Sequence, residues 1–375
     1  MHSSISSFER AGFVRLTASD RPGVAQPVPE RDVPERPWRG IFIVALVLTV
    51  LLLAAWEWRW RDFGATPGYR NSNGLWAMQR RRIDQGEGDA TVLIGASRVL
   101  FDVQLPVWER LAGSRPIQLA LEGTSPLFAL EDLADDPRFT GRLLVGIAPD
   151  VFFSGFQYRP GLVKYFRKET PTQRAGQWLS MHLVEPYLAF DDPDFALFTV
   201  LKRQAWPVRP GRHPFVDVRK LMTMEADRNC HLWSKVETDP EYRDLARQIW
   251  MQRFGPPPPG APTAAEMPGI IKEQITRTAA AVAKLRARHV QVLFVRMPSA
   301  GPYLAFENKV FPREKTWDVL IASTGAPGIF FADYPELSGY DLPEWSHLSA
   351  ADAGRFTASL YPIIEREYWP REQAR

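Results

Sequence analysis

The 375-residue chain has one cysteine, Cys230, few histidines and almost no net charge. A lone thiol excludes an intramolecular disulfide framework and any multi-thiolate zinc or iron-sulfur site, so Cys230 reads as a small buried hydrophobe. The histidines at 2, 182, 213, 231, 289 and 347 never fall at H-x-x-H or H-x-x-x-H spacing, and no metal is expected. Neither G-x-x-x-x-G-K nor G-x-G-x-x-G is present, so no nucleotide cofactor is expected either. Lys plus Arg total 46 against 43 Asp plus Glu, a formal charge of +3, which lacks the field that nucleic-acid binding needs. Only nine basic residues are Lys, and the scattered Arg residues read as codon bias. What is plentiful is Pro, at 33, and Trp, at 13, which implies long structured loops.

Long apolar runs are also scarce, and the single one is informative. Ile41 to Trp56, IFIVALVLTVLLLAAW, has Thr49 as its only polar member and is flanked by Arg39 and by Glu57, Trp58, Arg59, Trp60 and Arg61. At 1.5 Å per residue it reaches about 24 Å, and Trp38, Trp58 and Trp60 extend it to a bilayer and anchor it at the interfaces. A cleavable signal would be shorter, nearer the start and followed by small residues, so a membrane anchor over 38–60 is expected. Arg21, Arg31, Arg36 and Arg39 precede it, and Arg59, Arg61 and Arg70 follow it. The margin is one charge, and since a short cytoplasmic tail with a large carboxy-terminal domain outside is the usual single-pass arrangement, residues 1–37, read as a Pro-broken disordered tail, are expected in the cytoplasm.

Beyond a juxtamembrane stem at 61–88, runs of strand length recur: ATVLIG at 90–95, PIQLAL at 116–121, RLLVGIA at 142–148, VQVLFVR at 290–296 and GIFFAD at 328–333. Apolar on both faces, they suit buried parallel strands. Helical patterns lie between them at 126–133, 268–289 and 351–368. The alternation predicts a doubly wound α/β domain in two halves, 89–154 and 268–375. Between the halves, 155–267 breaks the rhythm with WPVRPGRHP and the run Pro256 to Pro259, and reads as an inserted, partly helical subdomain.

Ligands of such sheets bind beyond the carboxyl ends of the strands. Those ends carry Ser97 and Arg98, then Gly123, then Asp150, then Arg296, and finally the loop Asp341-Leu342-Pro343-Glu344-Trp345-Ser346-His347-Leu348-Ser349. Serine becomes a nucleophile when histidine takes its proton and an acid fixes the imidazole tautomer. Glu344 and His347 can share the face of a turn, with Asp341 as an alternative orienter. Ser349 and Asp352 form an S-x-x-D capping box that starts the last helix. Backbone N–H groups after Ser97 and at Gly123 are candidate oxyanion donors.

VLIGASR with Ser97, LALEGTSP with Gly123 and EWSHLSAADAGRFT with His347 together resemble the SGNH, or GDSL-like, hydrolase superfamily. The resemblance covers roughly 88–150 and 290–365. It implies a flavodoxin-like three-layer α/β/α sandwich with Ser97, His347 and Glu344 as the triad. The family acid is usually Asp, and its third block usually offers an Asn to the oxyanion hole where this chain has Asp150. An anionic Asp150 would repel an oxyanion, and Arg98 and Arg296 are candidates for the compensating charge. This departure is similar to membrane-tethered SGNH-like proteins that accompany membrane-bound O-acyltransferases in exopolysaccharide or cell-wall acylation. The resemblance therefore implies a bacterial inner-membrane protein with a periplasmic domain that takes a glycan or acyl-donor substrate, as an acyltransferase, an esterase or a degenerate scaffold.

Several residues have plainer readings. Gly-Ala-Ser alone is ordinary turn chemistry, and His347 alone is equally a core or capping residue. Asp150 reads as a helix cap, and Cys230-His231 lacks supporting cues for a thiol nucleophile. Glu307, Arg313, Trp317 and Asp318 read as a solvated helix start, with a secondary carbohydrate-binding reading for Trp317 or Trp345.

Overall fold

The computed structural model describes residues 35–204, 206–207, 216–255 and 262–369. The expected tail and the run Pro256 to Pro259 lie outside them, apart from residues 35–37. The chain divides into two units, 1–55 and 56–375. Apart from residues 35–37, the described part of the first belongs to a helix, Trp38–Asp62, which is long and apolar enough to cross a membrane and buries none of its side chains.

In the second unit the five apolar runs form one parallel sheet. Its strands are β1 (Thr91–Ile94), β2 (Ile117–Gln118), β3 (Arg142–Ile147), β6 (Gln291–Arg296) and β7 (Gly328–Phe330), in the order β2-β1-β3-β6-β7. A separate antiparallel hairpin joins β4 (Met222–Met224) to β5 (Cys230–Leu232). Val92 pairs with Ile117 on one side and Leu143 on the other, so residues in register share a face. Val92, Ile94, Leu143, Val145, Val292 and Phe294 pack with Leu130, Leu133, Val282, Leu285 and Leu320 from the helices Leu127–Asp135, Met267–Arg286 and Trp317–Thr324. Their neighbours Leu93, Leu144, Leu293 and Val295 pack on the opposite face with Val99, Leu100, Trp108, Phe356 and Leu360. Two buried faces explain why the strands read as continuous apolar runs instead of alternating ones.

The helices start and stop where local chemistry demands. Met267–Arg286 has Pro in its first turn, where no N–H is needed, and Lys284 and Arg286 in its last, where they complement the dipole. Ala350–Glu367 is capped by Ser349 Oγ, which accepts Asp352 N–H at 3.3 Å. The reciprocal half of the expected capping box is not made. Asp352 Oδ2 accepts Asp341 N–H at 2.6 Å instead, tying the loop that carries Glu344 and His347 to the helix behind it.

Between β3 and β6 the described chain runs through the helices Leu162–Lys168, Pro171–Leu183, Leu197–Lys202, Ser234–Thr238 and Pro240–Met251, together with the β4–β5 hairpin. Cys230, on that hairpin, is buried in the core, and burial pushes its thiol above the ordinary range. That favours inert packing over nucleophilic chemistry.

Candidate functional site

Order β2-β1-β3 makes the chain leave β1 toward one neighbour and return to the other, and a sheet of this topology takes its ligands at the carboxyl ends of those strands. Ser97 is there as the first residue of the short helix Ser97–Asp102. Two glycines let that helix sit close on the sheet: a Cβ at Gly95 or at Gly146 would collide with Val99. Ser97 is partly exposed, and among the described residues its hydroxyl has no hydrogen-bond partner.

The helix lies along the loop that carries the histidine. Arg98 Nε donates to Ser346 Oγ at 3.4 Å, the Phe101 ring stacks on the His347 ring with centroids 4.3 Å apart, and Leu348 N–H donates to Asp102 Oδ1 at 3.0 Å. Ser97 is one helical turn from Phe101, on the face that meets the imidazole. His347 Nδ1 lies 2.8 Å from Glu344 Oε1, which also accepts the His347 backbone N–H at 2.6 Å. Glu344 Oε2 accepts Trp250 Nε1–H. Burial pushes the Glu344 carboxyl up, but the charge and hydrogen bonds of His347, with Trp250, outweigh it and hold the carboxyl below its usual range. An ionised Glu344 assigns the proton to Nδ1 and leaves Nε2 as the basic nitrogen. Nε2 is buried and unpartnered, and no hydrogen bond joins it to Ser97 Oγ. Asp341, the alternative orienter, is exposed, and its carboxylate makes no hydrogen bond or ion pair with His347.

Gly123 adopts φ +52°, the left-handed conformation that glycine tolerates. Its carbonyl accepts Tyr158 N–H at 3.0 Å, so residues 156–158 lie across this turn. At Asp150 the plainer expectation of a helix cap is corrected. Ala148 is the cap residue, and Asp150 Oδ2 instead accepts Tyr303 O–H at 2.7 Å, while Oδ1 is enclosed without a partner. Burial, and then the like charge of Glu307, push the Asp150 carboxyl up.

Arg98 and Arg296 are buried, and each makes an ion pair of 2.8 Å with Glu307. The expected solvated Glu307 is thereby corrected: it is 1% exposed, because two guanidinium groups and Ser299 Oγ need its carboxylate beneath the rim. Trp317 is buried against Phe330, which removes it as a carbohydrate platform. Trp345 is half-buried at φ 72° beside Gly301, with Arg247 stacked on its ring.

Three residues of this neighbourhood carry no local sequence signal: Asp102, Trp250 and Tyr303. Asp102 is fully buried with Oδ2 unpartnered, and burial raises its carboxyl well above the ordinary value. Among the described residues no cluster of His, Cys, Asp and Glu could hold a metal ion. No family model matches the chain, and no curated protein or solved structure matches it.

Proposed function

We propose that this chain is a membrane-anchored, SGNH-like acyltransferase or esterase acting on a cell-envelope or exopolysaccharide glycan through an acyl-serine on Ser97. One observation carries the reading: a Glu344–His347 pair with its basic Nε2 left unpartnered, packed along the helix that begins with Ser97. Strand order β2-β1-β3-β6-β7 fits the flavodoxin-like sandwich of that superfamily, and the apolar helix Trp38–Asp62 fits an inner-membrane anchor with a periplasmic domain.

In the first half-reaction His347 Nε2 takes the Ser97 Oγ proton as Oγ bonds the acyl carbon. The tetrahedral oxyanion then collapses, the bond to the leaving oxygen breaks, and His347 returns its proton to that oxygen. In the second half-reaction a glycan hydroxyl, or water, attacks the acyl carbon while His347 takes its proton, and Ser97 is regenerated by the reverse transfer. Glu344 fixes the tautomer and stabilises the imidazolium. Burial and Glu307 push the Asp150 carboxyl up, and in its protonated form Oδ1 would donate a hydrogen bond where the superfamily offers an Asn amide, without the repulsion an anion would cause.

A second reading, a non-catalytic scaffold of an acyltransferase or polysaccharide-export complex, is favoured by the cover over the site. Trp250 closes on Glu344, Tyr158 crosses Gly123, and His347 is only 2% exposed. A fluorophosphonate probe separates the two. Covalent labelling of the parent chain at Ser97, absent in Ser97→Ala, is the expected result, and an unlabelled, well-folded parent chain leaves the scaffold reading standing.

A further inference from the structure

The end of the apolar helix is held by the domain through specific bonds within residues 56–195. Glu57 accepts the Ala189 and Phe190 N–H groups at 2.9 and 3.1 Å, Arg61 donates to the Tyr187 carbonyl at 2.9 Å, and Trp56 Nε1–H donates to the Phe195 carbonyl at 3.2 Å. Trp60 stacks on Phe195 with centroids 4.6 Å apart. Segment 187–195 thus wraps the stretch of helix where an apolar span gives way to Glu57, Trp58, Arg59 and Trp60.

The elements on either side of this clamp expose apolar side chains. On the helix Pro171–Leu183, Trp178, Leu179 and Leu183 are exposed, with Tyr187 just beyond. On the other side the helix Leu197–Lys202, LFTVLK, has no buried residue at all, and Phe198 is 85% exposed. A six-residue apolar helix with no fully buried residue gains little in water, where isolated helices under about 12 residues are marginal. Large exposed apolar surface rimmed by polar residues marks an interaction site. Trp, Tyr, Phe and Leu beside the end of a span are the residues of the lipid interface.

We propose that Trp178, Leu179, Leu183, Tyr187, Leu197 and Phe198 form a lipid-interface surface through which the domain meets the bilayer. This rests on the reading that the helix Trp38–Asp62 crosses a membrane. The occupant is the headgroup and upper acyl region of that bilayer, because the clamp ties segment 187–195, which joins the two elements that carry these side chains, to the residues at which the span ends.

Full-length chain in nanodiscs of phosphatidylcholine and phosphatidylglycerol tests this. Phe198→Cys and Leu183→Cys are each labelled with an environment-sensitive fluorophore, Cys230 being buried, and quenched by lipids with a nitroxide high on the acyl chain. Fluorescence at both positions should fall about twofold, and that of a Glu314→Cys control should be unchanged. Unquenched labels in a chain whose helix resists alkaline extraction overturn this proposal and leave the anchor intact. Extraction of the chain by alkali overturns both. Labels shielded from iodide in native membranes but open to it in nanodiscs show a protein cover and overturn the lipid assignment.

Discussion

Two buried charge clusters in the same domain are built on opposite rules. On the helix Asn73–Asp84, Arg80 is 2% exposed and meets Asp132 and Asp136 at 2.7 Å each. Asp132 takes a further bond from Arg167, and Asp136 takes three from Arg138, so no polar side-chain atom of Arg80, Asp132 or Asp136 is buried without a partner. At the carboxyl ends of β1 and β3, His347 Nε2, Asp102 Oδ2 and Asp150 Oδ1 are all buried and unpartnered. Unsatisfied buried polar atoms cost about 1 to 3 kcal/mol each, so three of them around one loop mark that place for a closer look at function. The closed cluster is architecture, and the open one is a candidate for chemistry.

The largest expected effect breaks that contrast outright. Ser97→Ala should lower acyl transfer or ester hydrolysis by about 10⁴-fold or more, with the thermal melt unchanged. A comparable loss of melting temperature would place Ser97 with the structural cluster. Next, Arg80→Met leaves Asp132 and Asp136 buried without their shared cation and should destabilise by about 3 to 5 kcal/mol in denaturant unfolding, while the folded fraction keeps its activity. Asp150 gives a sharper, smaller test. Asp150→Asn keeps a neutral donor and should stay within about tenfold of the parent rate, whereas Asp150→Ala should lose about 10²-fold.

The smallest effects are in pH dependence, and they have opposite signs. Burial pushes the Asp136 carboxyl up, but hydrogen bonds from Arg138 and Arg80 outweigh it and hold it at about 2. A depressed folded value contributes stability above the usual carboxylate range, about 4, that is lost as pH falls toward 2. Asp136→Asn should lower the melting temperature by a few degrees at neutral pH and leave it unchanged near pH 2. Asp102 is raised, so its contribution is present in acid and lost as pH rises through its folded value. Asp102→Asn should therefore flatten the fall in melting temperature that begins above about pH 4, as recorded by circular dichroism, and leave the profile below that pH alone.

The strands were legible because their signal is local: VLI, LLVGI and VLFV are apolar on both faces, as a doubly covered sheet requires. Glu344 and His347 were legible because three residues in one turn decide their contact. Glu307 was not, since in ENKVFPREK it has the surroundings of a surface residue and only Arg98 and Arg296 bury it. Trp250 was illegible for the same reason: its partner, Glu344, lies in a distant loop. Asp150 showed its position in the sequence but not its environment, which depends on Tyr303 from another helix. Sequence periodicity reports which face an element buries, and is silent about which charge waits on the other side.

The contact of Val99 with Gly95 and Gly146 carries a consequence for sequence drift. Any side chain at position 146 would drive the helix of Ser97 off β3, and residue 99 can shrink but has no room to grow. A descendant that discarded the serine, the histidine or the whole membrane anchor would still be held to small residues at 95 and 146 and a compact one at 99. Ancestry in this chain is therefore better sought in that steric triplet than in the groups that do the chemistry.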